Sequence, residues 1–266
     1  GGGGGGGDGA LAALLDAVPS SSSATLAAAL VEALCDDSAM RLAQRCIDLS
    51  CHRSAFQPQA AMRGATLTTT LLTALGKRHE MAWVRSVVVP LVERVQQYDG
   101  GAYEVDANRC DDVAVREKNA AALTECFKEL VSAIAASREQ LGHHGRRLAA
   151  HVRGSARRYL YVDGGAAADE AVLTLVGGFL MLRLLNPVVV TPESAGAPKL
   201  SREHRRSLVL VAKLAQYASN GSKLTESYLA DFQSVVDEQR PILLRFLADV
   251  CDSGDGDDAA AVTAAA

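Results

Sequence analysis

The sequence predicts an all-α protein, and three observations carry that prediction. Apolar residues recur at helical spacing through most of the 266 residues. Sustained apolar-polar alternation, the mark of a half-buried strand, is essentially missing; the valine triplets at 87–89 and 188–190 are short. The gaps between periodic stretches carry Pro and Gly, which end helices.

The elements follow in order. Leu26, Leu30 and Leu34 repeat every four residues behind the Ser20–Ser23 run. Leu67, Leu71, Leu72 and Leu75 mark a second helix, and Val84, Val87, Val88, Leu91 and Val95 a third, with Pro90 as an expected kink. Leu123, Phe127, Leu130, Val131 and Ile134 form another stripe, as do Leu148, Val152 and Tyr159. Leu208, Val211, Ala215 and Ala218 predict a late helix, and Leu243, Phe246, Leu247 and Val250 the last. Between them, 52–63, 98–112 and 186–201 read as irregular connections. Residues 1–24 and 251–266 read as low-complexity, disordered or weakly structured flanks of one helical domain over 25–250, cut from a longer polypeptide.

Composition narrows the function classes. The chain is 48% hydrophobic and 22% charged with a formal net charge of −4, so no overall polycation is present to grip nucleic acid. Six cysteines without a CxxC pair predict reduced, mostly buried thiols rather than a disulfide frame or a zinc site. The apolar run from Ala171 to Val190 contains Arg183 and Asn186-Pro187, so it reads as a buried core helix rather than a membrane span. The glycine-rich start lacks the basic and apolar parts of a signal peptide. There is no GxxxxGK[ST] phosphate loop, GxSxG elbow or HExxH motif.

Few residues then remain for chemistry. His143-His144, between Gly142 and Gly145, reads as a solvated turn rather than a metal site. Arg146, Arg147, Arg153, Arg157 and Arg158 recur at helical spacing; a solvated face is the simpler reading, contact with an acidic partner or anionic lipid the other. Arg63, followed by Gly64, lies where a loop enters a helix; on position alone it reads as surface. Arg183 sits in an apolar stretch, and because guanidinium keeps its proton, burial there requires acceptors. Pattern alone leaves two readings open: an arginine holding a neighbouring loop's carbonyls, or one at a helix edge.

Five segments, in order, resemble the Ras GTPase-activating (RasGAP) domain. MRGATLTTTLL (62–72) is similar to that family's F-R-[GA]-x-[ST]-L-A-[ST]-K finger loop, and EVDANR (104–109) to its E-[VI]-D-P-x-[RK] segment. GFLMLRLLNPVVVTPE resembles its FLR…NPA…P signature, RSLVLVAKLAQYASN (206–220) its R-x-L-x-L-x-A-K-x-x-Q-x-x-x-N helix, and ESYLADF (226–232) its E-x-Y-[LM] stretch. Met62 stands for the usual Phe, Ala65 for Asn, Ala107 for Pro and Val188 for Ala, while Thr68 and Thr70 replace a small and a basic residue.

The resemblance implies a GTPase activator with no nucleotide site of its own. Arg63 becomes an arginine finger supplied in trans, and Arg183 the residue that steadies the finger loop. Met62, Gly64, Leu180, Asn186, Pro187, Arg206, Lys213, Gln216 and Asn220 become contacts to the partner. That partner is a Ras-family small GTPase in its GTP-bound state, which itself carries GTP and Mg²⁺; the chain holds no metal or cofactor and binds no nucleic acid. A cytoplasmic location is implied, with recruitment to a membrane surface through flanking domains or the Arg146–Arg158 face as an added reading. The alternative is a scaffold of the same fold that binds a GTPase without accelerating it.

Overall fold

The computed structural model describes residues 5–58, 61, 62 and 64–264. Among the described residues there are helices and no strands. The chain divides into two compact units, the first from Gly1–Glu80, His143–Phe179 and Val250–Ala266, the second from Met81–Gly142 and Leu180–Asp249.

The first unit contains α1 (Gly5–Ala17), α2 (Ser20–Ala33), α3 (Asp36–Arg53), α4 (Leu67–His79), α7 (His143–Tyr159) and α8 (Ala166–Gly177). Helix α4 packs against α2, α3 and α7, and α7 also packs against α3 and α8. Leu67, Leu71, Leu72 and Leu75 are the buried stripe that the leucine spacing predicts. Helix α3 was not legible in advance, because its inner face (Ala39, Met40, Ala43, Cys46, Ile47 and Cys51) uses small and sulfur side chains in place of leucine. A polar seam fastens α3 to α7: Asp48 accepts from the Ser155 hydroxyl, and its Oδ1 lies 3.2 Å from His151 Nε2. Burial opposes the Asp48 charge, but these partners outweigh it and hold the carboxyl below its usual range.

The second unit contains α5 (Met81–Gln96), α6 (Val113–Ala136), α9 (Asn186–Val190) and α10 (Arg202–Asn220). Helix α10 packs on α5, α6 and α9. Trp83 is fully buried, stacks on Phe246 with centroids 6.3 Å apart, and donates its indole N–H to Ser137 Oγ at 2.7 Å. That bond meets the one polar demand of a buried indole. The last helix, α11, runs Gln233–Ala264.

Two expectations shift. The flanks expected to be weakly structured are helical over Gly5–Ala17 and out to Ala264, in keeping with alanine's high helix propensity. The stretch 186–201, expected irregular, holds α9 and a 3-10 turn over Pro192–Ala195. Pro187 falls at the second residue of α9, directly after the π-helical segment Gly178–Leu185. The run Ala166–Val190 is long and apolar enough to cross a membrane, but 67% of its most apolar window is buried inside the protein, as a core helix requires.

Most thiols are buried, as expected: Cys46, Cys51, Cys126 and Cys251, with Cys35 exposed and Cys110 half-buried. Burial pushes Cys46 up to about 11 and Cys51 and Cys126 to about 12, which keeps these thiols unreactive at neutral pH.

Candidate functional site

The residues singled out from the sequence fall into two groups, one in each unit. In the first unit they lie on the loop that enters α4. Arg63 itself is outside the described residues. Its neighbours are not: Met62 has φ 59° and Gly64 φ 76°, so left-handed backbone flanks position 63 on both sides. Gly64 takes that conformation without penalty, whereas for Met62 it costs roughly 1–2 kcal/mol. Such strain persists only where the surroundings hold it, and it gathers at functional loops.

The holding groups are hydroxyls. Thr66 is the N-cap of α4, accepting from Thr69 N at 3.3 Å, while Thr69 Oγ1 accepts from Thr66 N at 3.0 Å. This reciprocal pair is a capping box in which threonine does the work usually done by Glu or Gln. The Thr69 hydroxyl also lies 2.9 Å from the Gly64 carbonyl, tying the loop to the helix it precedes. Thr68, standing for a small residue, is buried with its hydroxyl 2.7 Å from Ser50 Oγ. Thr70, standing for a basic one, lies within reach of the carbonyls of Thr66 and Ser23, at 2.9 and 3.1 Å. Both departures from the family pattern are therefore absorbed by local hydrogen bonds. Sequence reading passed over Thr66 and Thr69; the S/T-x-x-x spacing before an apolar run was the available signal.

The same loop carries Phe56, 98% exposed. A single exposed apolar residue is ordinary on a protein surface. Phe56 gains interest only from lying seven positions before Arg63 in the chain.

In the second unit the group is built on α10. Lys213, Gln216 and Asn220 recur at helical spacing, with Gln216 exposed and Lys213 and Asn220 half-buried. Lys213 Nζ donates to Glu226 Oε1 at 2.6 Å and to Tyr228 Oη at 3.0 Å. Glu226 also accepts from Tyr217 Oη at 2.7 Å. The Lys213 and Tyr217 donors together drop the Glu226 carboxyl to about 2. Lys213 is thus a fixed charge rather than a swinging one. Beyond Asn220 the helix ends at Gly221 in the left-handed region (φ 64°), and Arg240 donates to the Ala218 carbonyl at 2.6 Å. A cation at this end also suits the helix dipole.

Arg206, at the other end of α10, forms a two-pronged pair with Glu104: Nε to Oε2 at 2.9 Å and Nη2 to Oε1 at 3.0 Å. Burial opposes the Glu104 charge, but Arg206 and the Asp106 amide prevail and keep the carboxyl below its usual range. The Glu104 carbonyl accepts from Asn119 at 2.9 Å, and Tyr103 N donates to Ser207 Oγ at 2.9 Å, so the EVDANR segment is bolted to α6 and α10. Arg206, taken from the sequence as a partner contact, is in the structure a strut: its fork is already filled by Glu104.

Leu180 and Asn186 also depart from expectation. Leu180 is fully buried and Asn186 nearly so, which removes both from any exposed groove. An apolar side chain in this run gains more from the core than from the surface, and Asn186 instead donates to the Ala212 carbonyl of α10 at 3.4 Å. Pro187 is exposed. Arg183 is half-buried in a π-helical segment, Gly178–Leu185, and burial pulls its pKa below the ordinary arginine value. A π turn is uncommon and concentrates at functional positions.

The basic stripe of α7 does not form one exposed face. Arg153 is buried and pairs with Asp252, Arg146 and Arg147 are half-buried, and Arg157, exposed, pairs with Asp169 at 3.0 Å. Helical periodicity placed these side chains correctly but could not see the acidic residues that meet them. His143-His144, expected as a solvated turn, opens α7.

Known proteins resemble part of this chain, across segments of both units. Residues 104–220 match the RasGAP family, described as GTPase-activator protein for Ras-like GTPase. The match starts at the Glu104 strut and ends at Asn220, the last residue of α10. That stretch of the helical chain is therefore similar to the RasGAP domain family. Over 82 residues it is 44% identical to neurofibromin-A of Dictyostelium discoideum, a span of 29% of this chain and 8% of that protein. Arg63 lies outside the family match.

Proposed function

We propose that this chain stimulates GTP hydrolysis by a Ras-type small GTPase, with Arg63 inserted in trans as an arginine finger. The observation that carries the reading is the family match over 104–220, whose last helix presents Lys213, Gln216 and Asn220 at its surface. The finger assignment rests on the resemblance of MRGATLTTTLL and on the strained, threonine-tied backbone either side of position 63.

In GTP hydrolysis negative charge builds on the transferring phosphoryl group and the leaving oxygen, so catalysis is largely positioning and charge stabilisation. The GTPase brings the nucleotide and Mg²⁺ in its GTP-bound state; the activator brings one guanidinium. In Ras activators, the systems from which the magnitude comes, such an arginine contributes roughly 10³–10⁵ in rate. A pre-ordered loop keeps the rotamer entropy of ordering from falling due at the moment of reaction. Arg183 is assigned a steadying role on the finger loop by resemblance alone, Phe56 an apolar contact with the partner, and Lys213 a docking charge. The site of action is the cytoplasm, at membrane surfaces where lipid-anchored partners reside.

A phosphate-release assay against a panel of GTP-loaded Ras-superfamily proteins tests the reading directly. The unmodified chain should accelerate at least one of them, and Arg63→Ala should abolish the acceleration while leaving affinity nearly intact. If the chain binds a GTP-loaded partner and gives no acceleration with Arg63 in place, the scaffold reading replaces this one.

A further inference from the structure

Three helix ends of the first unit bring together side chains that the chain order keeps far apart. Asp36 is the first residue of α3, His79 the last of α4, and His144 the second of α7. One carboxylate oxygen and two imidazole nitrogens from these residues all lie within 4.8 Å of one another. The His79 and His144 rings stack with centroids 3.9 Å apart and planes 15° from parallel; His143 follows, its centroid 3.8 Å from that of His144.

Two atoms of this cluster that can ligate a metal are buried without a hydrogen bond. Asp36 Oδ1 and His79 Nε2 lie 3.5 Å apart, and neither has a hydrogen-bond partner among the described residues. Leaving a buried polar atom unmet costs about 1–3 kcal/mol. Arg78 Nη2 is 3.0 Å from Asp36 Oδ1, which supplies charge without hydrogen-bond alignment and does nothing for His79. Burial, with His79 and His143 beside it, pushes His144 down to about 4, and burial lowers His79 as well.

The assembly is also held from behind. Glu80, 1% exposed, accepts from Gly145 N at 2.8 Å, so the end of α4 caps the start of α7. This bond fixes His79 beside His144 in the chain positions immediately adjoining it.

We propose that Asp36, His79 and His144 form a binding site for one divalent transition-metal ion of the zinc class, with a water in the fourth position. Two imidazole nitrogens and a carboxylate are a ligand set zinc accepts, at about 2.0–2.2 Å each. Tetrahedral bonds of that length put ligand atoms roughly 3.3–3.5 Å apart. The spacing between Asp36 and His79 already meets this, and His144, at most 4.8 Å from the others, has to close by up to about 1.5 Å as its ring turns out of the stack with His79. The bound ion fastens the ends of α3, α4 and α7, and so braces the helix whose opposite end carries the loop 61–66. It is a structural ion, independent of the GTPase reading, and it departs from the sequence expectation of no metal.

The test uses the whole reduced chain after chelator treatment, titrated with Zn²⁺ by calorimetry and with Co²⁺ by visible absorption. One ion per chain, a tetrahedral Co²⁺ spectrum without a thiolate charge-transfer band, and a Tm rise reversed by EDTA are expected. His79→Ala and His144→Ala should each abolish the spectrum with helicity by circular dichroism unchanged, while His143→Ala should retain it. Should those variants unfold, diethyl pyrocarbonate labelling of the unmutated chain answers the same question: Zn²⁺ should shield His79 and His144 but not His52 or His204. No Co²⁺ spectrum in the folded wild type, a thiolate band, a spectrum that survives both substitutions, or unshielded His79 and His144 each overturns the site.

Discussion

The loop before α4 and the exposed face of α10 are built in opposite ways. The loop depends on backbone: two left-handed residues around Arg63, and hydroxyls of Thr66 and Thr69 that bind main-chain groups. The α10 face depends on charge: Glu104 with Arg206 and Glu226 with Lys213, each pair holding a cation at a set place on a regular helix. On the proposed function, a group that enters another protein's site is best carried by a loop whose shape is over-determined. A face that only docks is best carried by a rigid element whose charges are already oriented. The first arrangement concentrates its effect in one side chain, and the second spreads it over several.

That contrast sets the expected order of effects. Arg63→Ala should reduce stimulated hydrolysis by roughly 10³ or more with little change in Kd, because the guanidinium acts on the transition state. A parallel loss of rate and affinity would erase the distinction between loop and face. Next, Lys213→Glu should weaken binding to a GTP-loaded partner in a manner that fades as salt is raised, while the rate at saturation holds. Salt-independent weakening would mean that the face had lost its shape rather than its charge.

Glu104→Ala should lower stability by about 1.5–3 kcal/mol, the usual cost of removing a hydrogen-bonded partner from a charged group, since Arg206 would be left with 20% of its side chain exposed. Urea denaturation gives the value, and a change under about 0.5 kcal/mol would reduce the pair to an ordinary surface bridge. Thr69→Ala should cost about 1 kcal/mol through the lost cap and should lower activity through the freed Gly64 carbonyl. The smallest effect is one of pH. Glu226 titrates near 2 when folded against an ordinary 4.5, so its contribution is present above 4.5 and fades as pH falls toward 2. The Tm gap between wild type and Glu226→Gln should close over that interval; a gap constant with pH would show that the carboxylate charge is not what stabilises.

Legibility in the sequence followed side-chain chemistry. The leucine and valine stripes of α4 and α5 stand out because large aliphatic residues have one physical use at helical spacing. The inner face of α3, made of Ala, Met, Cys and Ile, carries little contrast with its surroundings and did not. The loop before α4 and the α10 residues resemble a family pattern, but which of them face water was not legible in it. Leu180 is fully buried, and Arg206 is half-hidden against Glu104, a residue 102 positions away. Arg63 lies outside the described residues, so its role rests on the motif and on its neighbours' backbone.

By itself, then, the sequence determined the helical class, the positions of the strongest amphipathic stripes and the resemblance to the family, because each is written in short local stretches. Which charges are free and which are already answered was left to tertiary structure. Arg153 meets Asp252, Arg206 meets Glu104, and Asp36, His79 and His144 converge from three helix ends. Partners of that kind are brought within a few ångströms only by packing, and no periodicity along the chain encodes a meeting between residues scores of positions apart.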